Sequence, residues 1–161
     1  MKIFYDCEFL ENGRTIDLIS IGMVAEDGGE YYAVNADMPF ARIMRHEWLR
    51  ENVVPSLPIV RHDGIRPFRR PFLDRTHPDV KPRELIAVQV RQFIQTTPDA
   101  ELWAWYGAYD HVALCQLWGR MIDLPDGVPM FTCDLKQEAV RLGNPRMPEQ
   151  ADGLHNALAD A

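Results

Sequence analysis

Two turn dipeptides, Asn12-Gly13 and Asp27-Gly28, punctuate the first 35 residues and largely set what this chain can become. Asn-Gly and Asp-Gly suit the tight turns that join antiparallel strands, because glycine takes positive φ at no steric cost. The three runs they separate, residues 2–5, 17–25 and 30–35, therefore read as an antiparallel meander. Asp6-Cys7-Glu8 comes directly after the first run. Side chains two apart on a strand share a face, so Asp6 and Glu8 arrive together on one side of the sheet. Their strand must lie near the middle of the sheet if they are to meet groups from elsewhere in the chain.

The sequence then alternates between helix and strand. Residues 42–49 suit a helix, whereas prolines at 55, 58, 67, 71, 78 and 82 interrupt any regular element, so residues 54–82 read as irregular. Within that stretch, residues 61–75 carry five arginines and two phenylalanines, a composition that suits contact with RNA, a solvated loop or a protein contact. Arg83 to Thr97 comes after Pro82 and puts Ile86, Val90, Phe93, Ile94 and Thr97 on one helical stripe. Residues 101–106 read as a strand on which Trp103 and Trp105 share a face, expected toward the core. Gly107 is then a bend, and residues 109–121 a helix with Val112, Ala113, Leu117 and Met121 turned inward. That order puts Asp110 at the carboxyl end of a sheet strand, where open α/β sheets bind their ligands. Asp134 opens another helix that Gly143 stops.

The chain closes on His155-x4-Asp160. Five residues of ideal helix turn through about 500°, so these two side chains would diverge by about 140° within one helix. His155 is therefore expected in the loop or first turn before a helix that carries Asp160, with Leu154, Ala157, Leu158 and Ala161 as its packed stripe. Asp6, Glu8, Asp110 and Asp160 supply carboxylate oxygens of the kind that Mg²⁺ and Mn²⁺ prefer, enough for two ions. His155 adds an imidazole able to accept a proton near neutral pH. Each acid has a plainer reading as well, as a solvated turn residue or a helix-end acid.

Taken in order, the stretches at residues 4–9 (Phe-Tyr-Asp-Cys-Glu-Phe), 19–22 (Ile-Ser-Ile-Gly) and 102–119, together with the closing His-x4-Asp, resemble the DEDD 3′-to-5′ exonucleases. The branch is the one whose third motif is His-x4-Asp (DEDDh), and within it the polyadenylate-specific exoribonucleases of mycobacteria. The resemblance spans nearly the whole chain. It implies an α/β RNase H-like fold, a mixed five-stranded sheet with an antiparallel meander and flanking helices. It also implies a single exonuclease domain over residues 1–161, with a last helix shorter than in the family. Two Mg²⁺ or Mn²⁺ ions would be held by Asp6, Glu8, Asp110 and Asp160, with His155 as general base. The substrate would be the 3′ end of single-stranded RNA, preferably adenylate, released as nucleoside monophosphates by a homodimer. Phe9 and Leu10 are carried over as contacts to the terminal sugar. Tyr106 stands where many relatives have asparagine, and is placed with them at the substrate. Single-stranded DNA is the alternative substrate, and an RNA-binding protein with an impaired metal site is the alternative outside catalysis.

Length and charge narrow the remainder. At 161 residues one domain can bury about two-thirds of its unfolded surface. The net charge of −7 argues against broad electrostatic capture of nucleic acid, though a short 3′ end needs few phosphate contacts. Cys7, Cys115 and Cys133 lack zinc or disulfide spacing and read as reduced thiols. No apolar run reaches a membrane span and no signal segment opens the chain, so a cytoplasmic location is expected.

Overall fold

The structure, a computed structural model, describes residues 1–60, 71–150 and 153–161. The arginine-rich stretch lies mostly outside them. The meander forms as the turn dipeptides require: β1 (Lys2–Glu11), β2 (Ile16–Ala25) and β3 (Glu30–Asn35) pair antiparallel in that order. Gly13 and Gly28 take positive φ in the two turns. Strand β1 runs well past Tyr5, so Asp6 and Glu8 lie within the strand instead of at its end. A register shift between Glu8 and Phe9 breaks the ladder just beyond them.

After β3 the expected helix over 42–49 is split in two, α1 (Phe40–Ile43) and α2 (Glu47–Asn52), with His46 capping the second through the Leu49 amide. A 3₁₀ turn at Val54–Ser56 comes next, at the first of the prolines. The segment expected to be irregular also holds a two-residue pairing of β4 (Ile59–Val60) with β5 (Phe72–Leu73), and β6 (Val80–Lys81), which runs parallel to β3. Helix α3 (Arg83–Thr96) begins after Pro82 as expected and buries Ile86, Ala87, Val90 and Ile94.

Strand β7 (Glu101–Ala104) runs parallel to β1, and α4 (Ala108–Cys115) leads on to β8 (Cys133–Asp134), parallel to β7. The sheet order is β6-β3-β2-β1-β7-β8, mixed and six-stranded where five strands were expected. The sequence located β1, β2, β3 and β7, and did not locate β6 and β8, two residues each. Helix α5 (Leu135–Arg141) is capped by the Asp134 carboxylate, and α6 (Ala157–Asp160) by Asn156.

Both faces of the sheet are covered. Ile3, Tyr5 and Cys7 of β1 join Ile86, Val90 and Ile94 of α3 and Ala113 and Leu114 of α4 in one cluster. Leu10, Ile19 and Val34 join Ile43, Leu49, Val53 and Val54 in the other. Four inward assignments fail. Helix α4 stops at Cys115, six residues short of the expected end, so Met121 is exposed, as is Val112. Strand β7 stops at Ala104, so Trp105 projects outward. Leu154 precedes α6 and is 64% exposed, whereas Ala157 of the same expected stripe is fully buried. Among the described residues no helix is long and apolar enough to cross a membrane.

Candidate active site

Alternation along β1 sends Tyr5 and Cys7 into the first cluster, which turns Asp6 and Glu8 to the opposite face. Glu8 is nearly buried there. Strand β7 pairs with β1 only through Phe4, opposite Trp103, and beyond that point the two strands part. Helix α4 starts in the gap. Asp110, in its first turn and 6% exposed, accepts a 2.9 Å hydrogen bond from the Cys7 amide through Oδ1. A strand amide that would otherwise be a buried orphan thus fixes the carboxylate beside Asp6 and Glu8.

The other two groups come from the end of the chain. Asp6 pairs across the ladder with Gly22 of β2, and α6 packs on β1, β2 and β3. A Cβ at residue 22 would fall on the Ala157 carbonyl, so only glycine lets the helix lie this close. His155 stands two residues before α6, as the angular argument required, and takes φ +62. Its Nδ1 is 4.0 Å from Glu8 Oε1. One ligand atom each from Glu8, His155 and Asp160 lie within 4.8 Å of one another. Asp160 Oδ1 accepts a 2.8 Å hydrogen bond from Gln150 Nε2.

These carboxylates repel one another in a partly dry setting. Burial, then the charges of Asp110, Glu8 and Asp160, push Asp6 up to about 8. Burial, then Asp160 and Asp110, push Glu8 up to about 7. Burial raises Asp110 to about 6 against the opposing pull of amide hydrogen bonds. Among the described residues no lysine or arginine forms an ion pair with any of the four acids. Clustered carboxylates without a protein counter-charge fit divalent cations, whose oxygen ligands they would be.

The remaining site candidates divide. Phe9 is half-buried and stacks on Tyr109, with ring centroids 6.1 Å apart and planes at 14°. Leu10 is 5% exposed within the second core cluster, a packing position. Tyr106 takes φ +55, is 63% exposed and meets Trp105 edge to face. Sequence reasoning missed Tyr109, Trp48 and Ser56. Trp48 packs its ring edge to face against His155 at 4.8 Å, and Ser56 Oγ lies 2.8 Å from the His155 carbonyl. Position before Asp110 could have pointed to Tyr109, but nothing local pairs Trp48 or Ser56 with a residue some 100 positions away.

No protein-family model matches the chain. A 3′-5′ exoribonuclease of Mycobacterium tuberculosis, in its CDC 1551 / Oshkosh and H37Rv strains alike, is 45% identical to it over 163 residues, an alignment taking in 100% of this chain and 87% of the relative. Identity at that level over the full chain carries the fold and the core architecture with it, and the chain belongs to the family of these 3′-5′ exoribonucleases.

Proposed function

We propose that the protein is a divalent-metal-dependent 3′-to-5′ exoribonuclease of the DEDDh type, with an RNase H-like fold, similar to the mycobacterial polyadenylate-specific RNase AS. The observation that carries the reading is the meeting of Asp6, Glu8, Asp110, His155 and Asp160 at the parting of β1 and β7. Kinship with proteins named 3′-5′ exoribonucleases supports the reaction class.

Asp6, Glu8, Asp110 and Asp160 would together hold two Mg²⁺ or Mn²⁺ ions. When bound, such ions acidify a water and neutralise charge on the phosphate under attack. His155, 37% exposed at its side chain, accepts the proton of the attacking water and can pass it to solvent. Glu8 Oε1 lies 4.0 Å from its Nδ1. Phe9 and Tyr109 offer a stacked aromatic surface beside the acids, suited to a sugar or base at the RNA end. Adenylate preference, a homodimer, a single catalytic domain and a cytoplasmic setting complete the proposal by likeness to RNase AS.

The test is digestion of a 5′-labelled oligoadenylate beside oligouridylate and DNA of equal length, with Mg²⁺, Mn²⁺ or EDTA. Stepwise metal-dependent shortening that favours oligoadenylate is expected, and Asp6→Ala should abolish it. Shortening in EDTA, or a fully active Asp6→Ala protein, would overturn the assignment.

A further inference from the structure

His155 is held by a contact that the metal site does not supply. Its φ of +62 lies in the left-handed region, which a side chain with a β-carbon leaves unless its surroundings hold it there. Asn156 and α6 fix the chain on one side. On the other, the His155 carbonyl lies 2.8 Å from Ser56 Oγ, at the end of the 3₁₀ turn just beyond α2.

Ser56 Oγ is also 2.8 Å from the Val53 carbonyl, yet a hydroxyl has one proton to give. Val53 O already accepts the Ser56 amide at 3.0 Å. Among the described residues no backbone amide donates to His155 O. The hydroxyl therefore has its unmet acceptor at His155. The same segment supplies a second restraint, since Trp48 of α2 packs edge to face on the imidazole, 4.8 Å between ring centroids.

We propose that Ser56 is a positioning residue for the reaction: its hydroxyl latches the His155 carbonyl and so holds the imidazole beside Glu8 and Asp160. This rests on the reading of His155 as the general base. The latch ties two parts of the chain 99 residues apart, so that α2 and its 3₁₀ turn set the aim of a ring that its own loop would leave free. A small loss of aim is costly where a proton must pass at hydrogen-bond distance.

The experiment compares Ser56→Ala and Ser56→Thr on a 5′-labelled oligoadenylate with Mg²⁺, each alone and combined with His155→Ala. A second readout, taken without metal, is the NMR spectrum of the histidine rings, with His155 assigned by its absence in His155→Ala. Ser56→Ala is expected to lower kcat about tenfold with KM changed less than about twofold, and threonine should restore it. In the His155→Ala background the same change should cost nothing further. The His155 ring signals should shift or broaden in Ser56→Ala and return in Ser56→Thr. Wild-type kcat with unmoved ring signals, or an equal loss in both backgrounds, would overturn the latch. A His155→Ala protein of wild-type rate would instead remove His155 as the base, and the ring spectrum would still decide whether Ser56 holds it.

Discussion

Gly22 and Asp6 are cross-strand partners, and the missing side chain of Gly22 lets the terminal helix settle beside Asp6. Gly22→Ala should push α6 off the sheet and take Asp160 and His155 with it. Overpacking against backbone costs about 1 to 3 kcal/mol. The variant is expected to melt lower and to lose nearly all exonuclease activity, while its circular dichroism stays close to that of the parent. Full activity at reduced stability would show that the acids at the two ends of the chain work independently.

Asp110 has a structural role beside the metal-binding one proposed for it, because it accepts the buried Cys7 amide. Asp110→Ala leaves that amide without a partner, at a cost of about 1 to 3 kcal/mol. Asp110→Asn keeps an acceptor and removes the charge. Both should be inactive, but only the alanine variant should unfold at markedly lower denaturant. Equal midpoints for the two would mean that water replaces the carboxylate at Cys7.

The acids predict a pH profile for the metal-free protein. Asp6, Glu8 and Asp110 rise from 3.8, 4.5 and 3.8 to about 8, 7 and 6. The folded protein thus keeps protons that the unfolded chain has released. Their contribution to stability is complete below the unfolded values and is lost as pH rises through the folded ones. In EDTA the melting temperature should fall between about pH 5 and pH 8, and Asp6→Asn should flatten the fall. Saturating Mg²⁺ should raise stability most at the alkaline end, where its ligands are already deprotonated. An EDTA profile that climbs over the same interval would contradict the crowding of these carboxylates.

Tyr109 is 54% exposed and stacked on Phe9, so it offers a second ring to a nucleic acid end. Stacking a base on an aromatic side chain is worth about 1 to 3 kcal/mol. Tyr109→Ala should raise KM for oligoadenylate about tenfold with little change in kcat, and Tyr109→Phe should match the parent. An unchanged KM in the alanine variant would assign the pair to packing alone.

The meander was legible because Asn12-Gly13 and Asp27-Gly28 announce themselves within two residues. The placement of His155 ahead of α6 was legible too, because helix geometry forbids the alternative. Where the helix expected over 109–121 would stop was not. Residues 116–121 keep a helical apolar pattern, yet the chain turns away at Gln116, and the local signal, Gly119 at φ +101, stands four residues beyond the last helical one. Trp105 failed similarly, since strand alternation says nothing of where pairing ends, and β7 parts from β1 after Trp103 and from β8 after Ala104. Contacts such as Ser56 with His155 and Gly22 with Ala157 depend on tertiary approach between distant stretches. A glycine in a strand hints at close backbone approach but does not say of what.

The parting of β1 from β7 also orders events in time. A chain emerging from the ribosome completes its meander early, then the crossover that delivers Asp110, and only about 150 residues after Asp6 the pair His155 and Asp160. Until then Asp6 and Glu8 on β1 and Asp110 on α4 stand without the imidazole or the fourth carboxylate. The proposed site is therefore incomplete until His155 and Asp160 have been made and α6 has docked over Gly22.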